Sequence, residues 1–96
     1  MRERDVENHL VHRVRDAGGR CWKWTSPGVR GVPDRIVTLH GRVVFVELKA
    51  PGEKPSHQQE RVHAQLRDQG CEVAVLDSKA TVDTFVDNLI PERYTP

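Results

Sequence analysis

The sequence predicts an α/β domain in which a mixed four-stranded sheet is flanked by helices, with the element order αβββαβα. Three segments have apolar residues at helical spacing, and the segments between them alternate or run apolar as strands do. A strand–helix–strand passage between residues 42 and 77 predicts a right-handed crossover that makes those two strands parallel. The three earlier strands are expected to form an antiparallel meander.

The chain of 96 residues is expected to form a single domain, residues 1–96, around one modest core. Its net charge of +1 does not by itself indicate nucleic acid, and no apolar run approaches a membrane span of about 18 residues. The charged N-terminus MRERDVENH lacks the apolar region of a signal peptide, so a cytoplasmic location without a membrane partner is expected. Cys21 and Cys71 are too few and too far apart for a CxxC zinc site and are predicted to be buried, reduced thiols.

The first helix is predicted over residues 2–17. Val6, Leu10 and Val14 recur at four-residue steps and form its apolar stripe, and Gly18-Gly19 supplies the end.

Four strands are predicted from alternation and apolar content. In the first, RCWKWT, Trp22 and Trp24 share a face and are interpreted as core or interface side chains. The loop SPGVRGVP leads into a second strand, and His40-Gly41 is a candidate tight turn into a third. The predicted strand ranges are residues 20–25, 34–40, 42–49 and 71–77.

Two further helices complete the pattern. Ser56 is expected to cap a helix over residues 57–69, and Ser78 to cap a last helix that Pro91 ends. The tail ERYTP is predicted to be frayed.

Two carboxylates and a lysine fall on one face of the central hairpin. If His40-Gly41 is the turn, Asp34 faces Glu47 with Cβ atoms roughly 4.5–5.5 Å apart, and Lys49 follows on the same face. If Gly41-Arg42 is the turn, Asp34 faces Lys49 instead and lies diagonal to Glu47. All three residues share one face in either register.

Like charges directly across two strands repel each other, so something must offset the repulsion. A divalent cation such as Mg²⁺ would do so, because it takes one or two carboxylate ligands and completes its shell with water and phosphate. Lys49 alone, as a strand-end ion pair with one carboxylate, is the alternative.

Glu7 adds a third carboxylate. On a helical wheel it lies between Val11 and Val14, inside the apolar stripe, so it is expected to point toward the sheet. Glu3 lies at a similar angle on the first turn of the helix. The alternative for Glu7 is a glutamate at the edge of an amphipathic helix.

These residues together resemble the PD-(D/E)XK nuclease superfamily, which has a helical Glu, a loop ending in PD and E-x-K on the next strand. The matching residues are Glu7, Pro33-Asp34 and Glu47-Leu48-Lys49. The stretches SPGVRGVPD, FVELKAPG and PSHQQ are similar to the VRR-NUC family, specifically its short stand-alone phage and bacterial members. PD…ExK alone is a weak pattern, but S-P-G-x-R-G before it and S-x-x-Q after it make the resemblance specific over about residues 3–76.

The resemblance implies a metal-dependent DNA endonuclease that uses Mg²⁺ or Mn²⁺ to hydrolyse phosphodiester bonds, without a nucleotide cofactor. Asp34 and Glu47 would bind the metal, with the backbone carbonyl of Leu48 as a further ligand. Lys49 would orient the attacking water or stabilise charge on the phosphate. Glu7 would hold a metal-bound water or a second ion.

The family's glutamine after E-x-K falls best on Gln59, with Gln58 as the neighbouring alternative. Gln59 also completes a capping box with Ser56, so it is either a site residue, a helix cap or both.

Arg30, Lys23 and Lys54 are candidate contacts to the DNA backbone, because phosphate contacts come mostly from Arg and Lys. Ordinary solvated charge is the alternative for each. None of the five histidines has a partner at ligand spacing.

Branched DNA such as a Holliday junction is the expected substrate, because so small a chain has no separate sequence-reading domain. Paired cuts need two active sites, which predicts a homodimer by analogy with stand-alone relatives. Two alternatives stay open: a non-catalytic DNA-binding module, and a nuclease whose substrate is set by a partner in phage replication or packaging.

Overall fold

The computed structural model describes residues 1–92, so residues 93–96 of the predicted frayed tail, residues 92–96, lie outside the described residues. The predicted element order is confirmed. The elements are α1 (Glu3–Asp16), β1 (Arg20–Lys23), β2 (Arg35–Leu39), β3 (Arg42–Leu48), α2 (His57–Asp68), β4 (Glu72–Leu76) and α3 (Lys79–Leu89). Among residues 1–92, no helix is both long and apolar enough to cross a membrane.

One sheet with the strand order β1-β2-β3-β4 forms the centre of the fold. The first three strands pair antiparallel, and β3 pairs parallel with β4. The predicted meander and parallel crossover partner are therefore confirmed.

The turn between β2 and β3 decides between the two predicted registers. His40 and Gly41 both have positive φ, 50° and 78°, as a two-residue turn that matches the strand twist requires. Ile36 pairs with Phe45 and Val37 with Val44, as the His40-Gly41 turn predicts. The alternative register through Gly41-Arg42 is wrong.

The core lies between one face of the sheet and the helices α1 and α3. Val6, Leu10 and Val14 are fully buried, so the predicted stripe of the first helix is confirmed. Twelve buried aliphatic side chains form this core: Val6, Leu10, Val14, Val37, Leu39, Val44, Val46, Leu48, Leu76, Val82, Val86 and Leu89. Cys21 packs against this cluster, and both cysteines are free and half-buried rather than fully buried.

The opposite face of the sheet is covered in part by α2, which packs against β4. Trp24 packs against Phe45 on this face with ring centroids 5.1 Å apart. Trp22 is 45% exposed, with the Arg20 guanidinium 4.3 Å from its ring centroid, because α2 does not extend over β1. The interpretation of Trp22 as a core side chain is wrong.

The loop before β2 packs against the first turn of α2. Gly31 has φ +92°, and a Cβ atom at this position would lie 2.9 Å from the Gln58 carbonyl oxygen. Only glycine fits such a close approach without displacing one of the two backbones. This contact sets the position of the helix end that faces the carboxylates.

Candidate active site

Asp34 and Glu47 lie at the same end of the β2–β3 hairpin. Arg35 pairs with Val46, and Asp34 and Glu47 are the next residues outward along the two chains. Asp34 Oδ2 accepts a hydrogen bond of 2.9 Å from the Leu48 backbone N–H. The Asp34 carbonyl oxygen accepts another of 3.0 Å from the Trp24 backbone N–H, so this aspartate is tied to the chain on both sides.

Glu47 is the buried carboxylate of the site, with 2% of its surface exposed. Its Oε2 accepts a hydrogen bond of 2.9 Å from Gln59 Nε2 and lies 3.6 Å from Lys49 Nζ. Its Oε1 is buried and has no hydrogen-bond partner. Burial, and next the negative charge of Asp34, raise the pKa of Glu47 to about 8, although the charge of Lys49 acts in the opposite direction.

The capping role predicted for Gln59 is confirmed, and the same side chain also reaches Glu47. The Ser56 N–H donates to Gln59 Oε1 at 2.8 Å, and the Gln59 N–H donates to Ser56 Oγ at 3.1 Å, which completes the capping box. Because the cap holds the amide oxygen, the amide nitrogen faces Glu47. Gln58 instead contacts Gly31 of the preceding loop.

Lys49 follows β3 and is mostly enclosed, with 14% of its side chain exposed. Its backbone N–H donates to the Leu76 carbonyl at 2.9 Å, which extends the pairing with β4 past the last strand residue. The Lys49 ammonium therefore stands beside Glu47 on a fixed piece of backbone. The backbone carbonyl of Leu48 stays a predicted ligand.

The acidic residues of α1 reach the sheet in two different ways. Glu7 points toward the sheet, where its Oε2 accepts a hydrogen bond of 2.8 Å from Arg35 Nε. Glu3, one turn earlier, has a pKa raised first by partial burial and then by the charge of Asp34, while Lys49 lowers it. Glu3 is thus within electrostatic reach of both Asp34 and Lys49. On the helical wheel Glu3 and Glu7 lie at similar angles, but in the folded protein Glu7 contacts Arg35 whereas Glu3 lies near Asp34 and Lys49.

His63 is the residue of this site that sequence reasoning missed. It is 1% exposed, and its Nε2 lies 3.6 Å from Glu47 Oε1 without a hydrogen-bond partner. Burial, followed by the positive charges of Arg67 and Lys49, lowers its pKa. The available signal was its position four residues after Gln59, which puts both side chains on one face of α2.

The three predicted DNA contacts are all exposed. Arg30 lies in the loop that leads into Asp34, Lys23 ends β1, and Lys54 lies in the loop between β3 and α2. Their contact with DNA stays a prediction.

The side chains present fit a hard divalent cation. Glu47 Oε1 is a buried carboxyl oxygen without a hydrogen-bond partner, and Asp34 adds a second carboxyl group nearby. Within residues 1–92, no three His, Cys, Asp or Glu side chains converge as a complete metal cage. Two carboxylates suffice for Mg²⁺, which keeps several waters and binds substrate phosphate.

The mixed sheet thus carries an acidic pair and a lysine at one end of its central hairpin. A family model described as the VRR-NUC domain matches residues 5–80. The chain belongs to the VRR-NUC family.

Two individual proteins support the assignment. A solved structure described as a VRR-NUC domain matches with a TM-score of 0.82 at 32% identity, and the match covers 96% of this chain and 97% of that chain. "Putative nuclease p44" of Acyrthosiphon pisum secondary endosymbiont phage 1 is 55% identical over 80 residues, which is 82% of this chain and 86% of that protein.

Proposed function

We propose that this nuclease is an endonuclease that depends on Mg²⁺ or Mn²⁺ and hydrolyses phosphodiester bonds in branched DNA, such as Holliday junctions, in the cytoplasm. The observation that carries the proposal is the proximity of Asp34 to a buried Glu47 whose Oε1 has no hydrogen-bond partner. A buried, incompletely satisfied carboxylate beside a second one costs free energy in the cation-free protein. Binding of a divalent cation would offset that cost.

The proposed ligands are Asp34, Glu47 and the backbone carbonyl of Leu48. When bound, the cation would acidify a water molecule and neutralise charge on the phosphate. Lys49 would orient the attacking water or stabilise the charge that grows on the phosphate oxygens. Its ammonium is already next to Glu47, so little reorganisation is needed.

Three further residues would support this centre. Gln59 holds Glu47 Oε2 through its amide nitrogen. Glu7 would retain its proposed role toward a metal-bound water or a second ion only if it leaves Arg35, to which it is hydrogen-bonded. Glu3 is an additional candidate for that role, because it lies close enough to Asp34 and Lys49 for their charges to shift its pKa in opposite directions.

DNA would approach along the loops that surround the carboxylates. Arg30, Lys23 and Lys54 are exposed and would contact phosphates, while the glycines of the loop before β2 permit close approach of its backbone. Contacts to phosphates depend on the shape of the DNA backbone and not on the base sequence, as recognition of a branched substrate requires.

We also propose that the chain acts as a homodimer, because one chain supplies one site and a junction needs paired cuts. The sheet face that α2 leaves open supports this. It presents Trp22 of β1 and Val43 of β3, which are 45% and 53% exposed, together with the half-buried Phe45 of β3. Light scattering at working concentration tests this proposal, and a monomer that still makes paired cuts would contradict it.

A panel of duplex, flap, splayed-arm and four-way-junction DNA, each with Mg²⁺ or Mn²⁺, tests the function. Glu47→Gln, Asp34→Ala and Lys49→Ala should abolish cutting. Glu72→Gln is the matched control, because Glu72 is an exposed glutamate on β4 that pairs with Arg42 away from the site. If the wild type binds these substrates but cuts none with either metal, the chain is a DNA-binding module. If Glu47→Gln cuts like Glu72→Gln, the site assignment is wrong.

A further inference from the structure

Helix α2 presents two polar side chains to Glu47 from consecutive turns. Gln59 reaches Oε2 with its amide nitrogen at 2.9 Å, and His63 faces Oε1 with Nε2 at 3.6 Å. The two residues are one helical turn apart, so one rigid element addresses both oxygens of one carboxylate. Gln59 is accounted for by its cap and its hydrogen bond, whereas His63 Nε2 makes no hydrogen bond.

The His63–Glu47 contact is incomplete in a specific way. Both facing atoms, His63 Nε2 and Glu47 Oε1, are buried and neither has a hydrogen-bond partner. Their separation of 3.6 Å exceeds the usual range of about 2.7–3.2 Å for N–H···O bonds. Each buried polar atom without a hydrogen bond costs free energy of folding. A movement of either side chain by well under 1 Å would let His63 Nε2 and Glu47 Oε1 form a hydrogen bond and would satisfy both atoms.

Packing alone does not explain an imidazole at this position. The same helix buries Val62 beside it, and an aliphatic side chain at residue 63 would avoid the burial of an unpaired ring nitrogen. A histidine at this position is explained if its N–H is needed by the carboxylate when that carboxylate binds a cation.

We propose that His63 is a positioning residue, which donates a hydrogen bond from Nε2 to Glu47 Oε1 and so orients Glu47 for the divalent cation. This inference rests on the proposed metal site. Gln59 and His63 then hold one oxygen each, and every carboxylate oxygen keeps a second lone pair for the cation. Such outer partners orient metal ligands, and their loss typically weakens metal binding without removing a ligand.

Mn²⁺ affinity, measured by isothermal titration calorimetry on the whole chain without DNA, tests the inference. His63→Leu keeps a similar volume but removes the donor, and it should weaken Mn²⁺ binding about 10–100-fold. His63→Gln carries an N–H at a similar distance from the backbone, and it should restore binding to within about threefold of wild type. Val62→Ala is the matched control, because it removes buried volume from the same helix without a donor, and it should leave the affinity unchanged.

Three outcomes would overturn the role of His63. Wild-type affinity in His63→Leu would show that the donor is dispensable. Equal losses in His63→Leu and His63→Gln would indicate that the imidazole itself binds the metal. An equal loss in Val62→Ala would indicate that the packing of α2, rather than a hydrogen bond, controls the affinity.

The DNA-cleavage panel separates this inference from the proposed function. If wild type cuts DNA with Mn²⁺ and His63→Leu binds Mn²⁺ as tightly, only the role of His63 fails. If wild type binds Mn²⁺ and His63→Leu does not, yet no substrate is cut, the proposed function fails while the role of His63 stands. If wild type binds no Mn²⁺, the metal site falls and the inference falls with it.

Discussion

The two faces of the central sheet have interiors of opposite character. The face toward α1 and α3 buries a continuous aliphatic cluster, whereas the face toward α2 buries Glu47 and His63, with one polar atom on each left unpaired. Aliphatic burial stabilises the fold, and buried unpaired polar atoms oppose it. The difference indicates that one face is built for stability, whereas the other holds the polar groups of the candidate site at a cost in stability.

Strand β3 supplies both faces from consecutive residues. Val46 is fully buried in the aliphatic cluster, and Glu47, the next residue, is buried on the other face, because side chains alternate along a strand. Substitutions at these two neighbours should therefore have opposite consequences for cleavage and for stability.

The largest effect is expected for Glu47→Gln, which should lower DNA cleavage by about 10³-fold or more, because it removes a carboxylate that we propose as a metal ligand. Its free energy of unfolding at pH 8 should equal or exceed that of wild type, since a buried charge is replaced by a neutral group of the same shape. Val46→Ala should instead lower the free energy of unfolding by about 2 kcal/mol through lost burial and a cavity, with cleavage per folded molecule retained. Urea denaturation and initial cleavage rates check both, and a shared outcome at both positions would contradict the division between faces.

In the metal-free protein, pH is expected to change stability through Glu47 without any effect on cleavage being involved. Glu47 has a pKa raised from 4.5 to about 8, so between these values the folded state holds a proton that the unfolded state has lost. The stabilising contribution of the protonated carboxyl is therefore complete below pH 4.5 and is lost as the pH rises toward 8, with a slope of up to about 1.4 kcal/mol per pH unit. Denaturation curves of wild type and Glu47→Gln across this range should converge at low pH. Parallel curves would show that Glu47 titrates normally.

The contact between the loop before β2 and α2 should give the next smaller effect. Gly31→Ala adds a Cβ atom 2.9 Å from the Gln58 carbonyl oxygen at a φ of +92°, and it should cost about 1–3 kcal/mol of stability. Cleavage should also fall, because displacement of the first turn of α2 moves Gln59 away from Glu47. Gly28→Ala in the same loop is the control, since nothing lies within 4 Å of the added atom. If the two variants unfold alike, the loop does not hold α2.

The smallest effect is expected at the exposed end of the β3–β4 pair. Arg42 and Glu72 form an ion pair with about half of each side chain exposed. Solvent screening leaves such a pair worth about 0.5 kcal/mol or less, so Arg42→Ala should barely change thermal stability or cleavage. A loss of more than 1.5 kcal/mol, about three times the expected ceiling, would contradict the assignment of this pair to the solvated surface.

The sequence predicted the elements and the acidic pair because both depend on local stereochemistry. Apolar spacing indicated α1, Ser56 and Ser78 indicated the starts of α2 and α3, and the His40-Gly41 turn indicated the register that brings Asp34 to Glu47. Each of these inferences uses residues near one another in the chain, whose geometry follows from helix and strand periodicity.

The docking of the helices on the sheet decided the rest. No local pattern predicts that Glu7 bonds to Arg35, that α2 leaves Trp22 exposed, or that His63 faces the unpaired oxygen of Glu47. These contacts join residues on separate elements. The position of a helix on a sheet depends on the packing of many side chains at once. Periodicity along the chain therefore determines the face on which a residue lies, but not the residues of other elements that this face contacts.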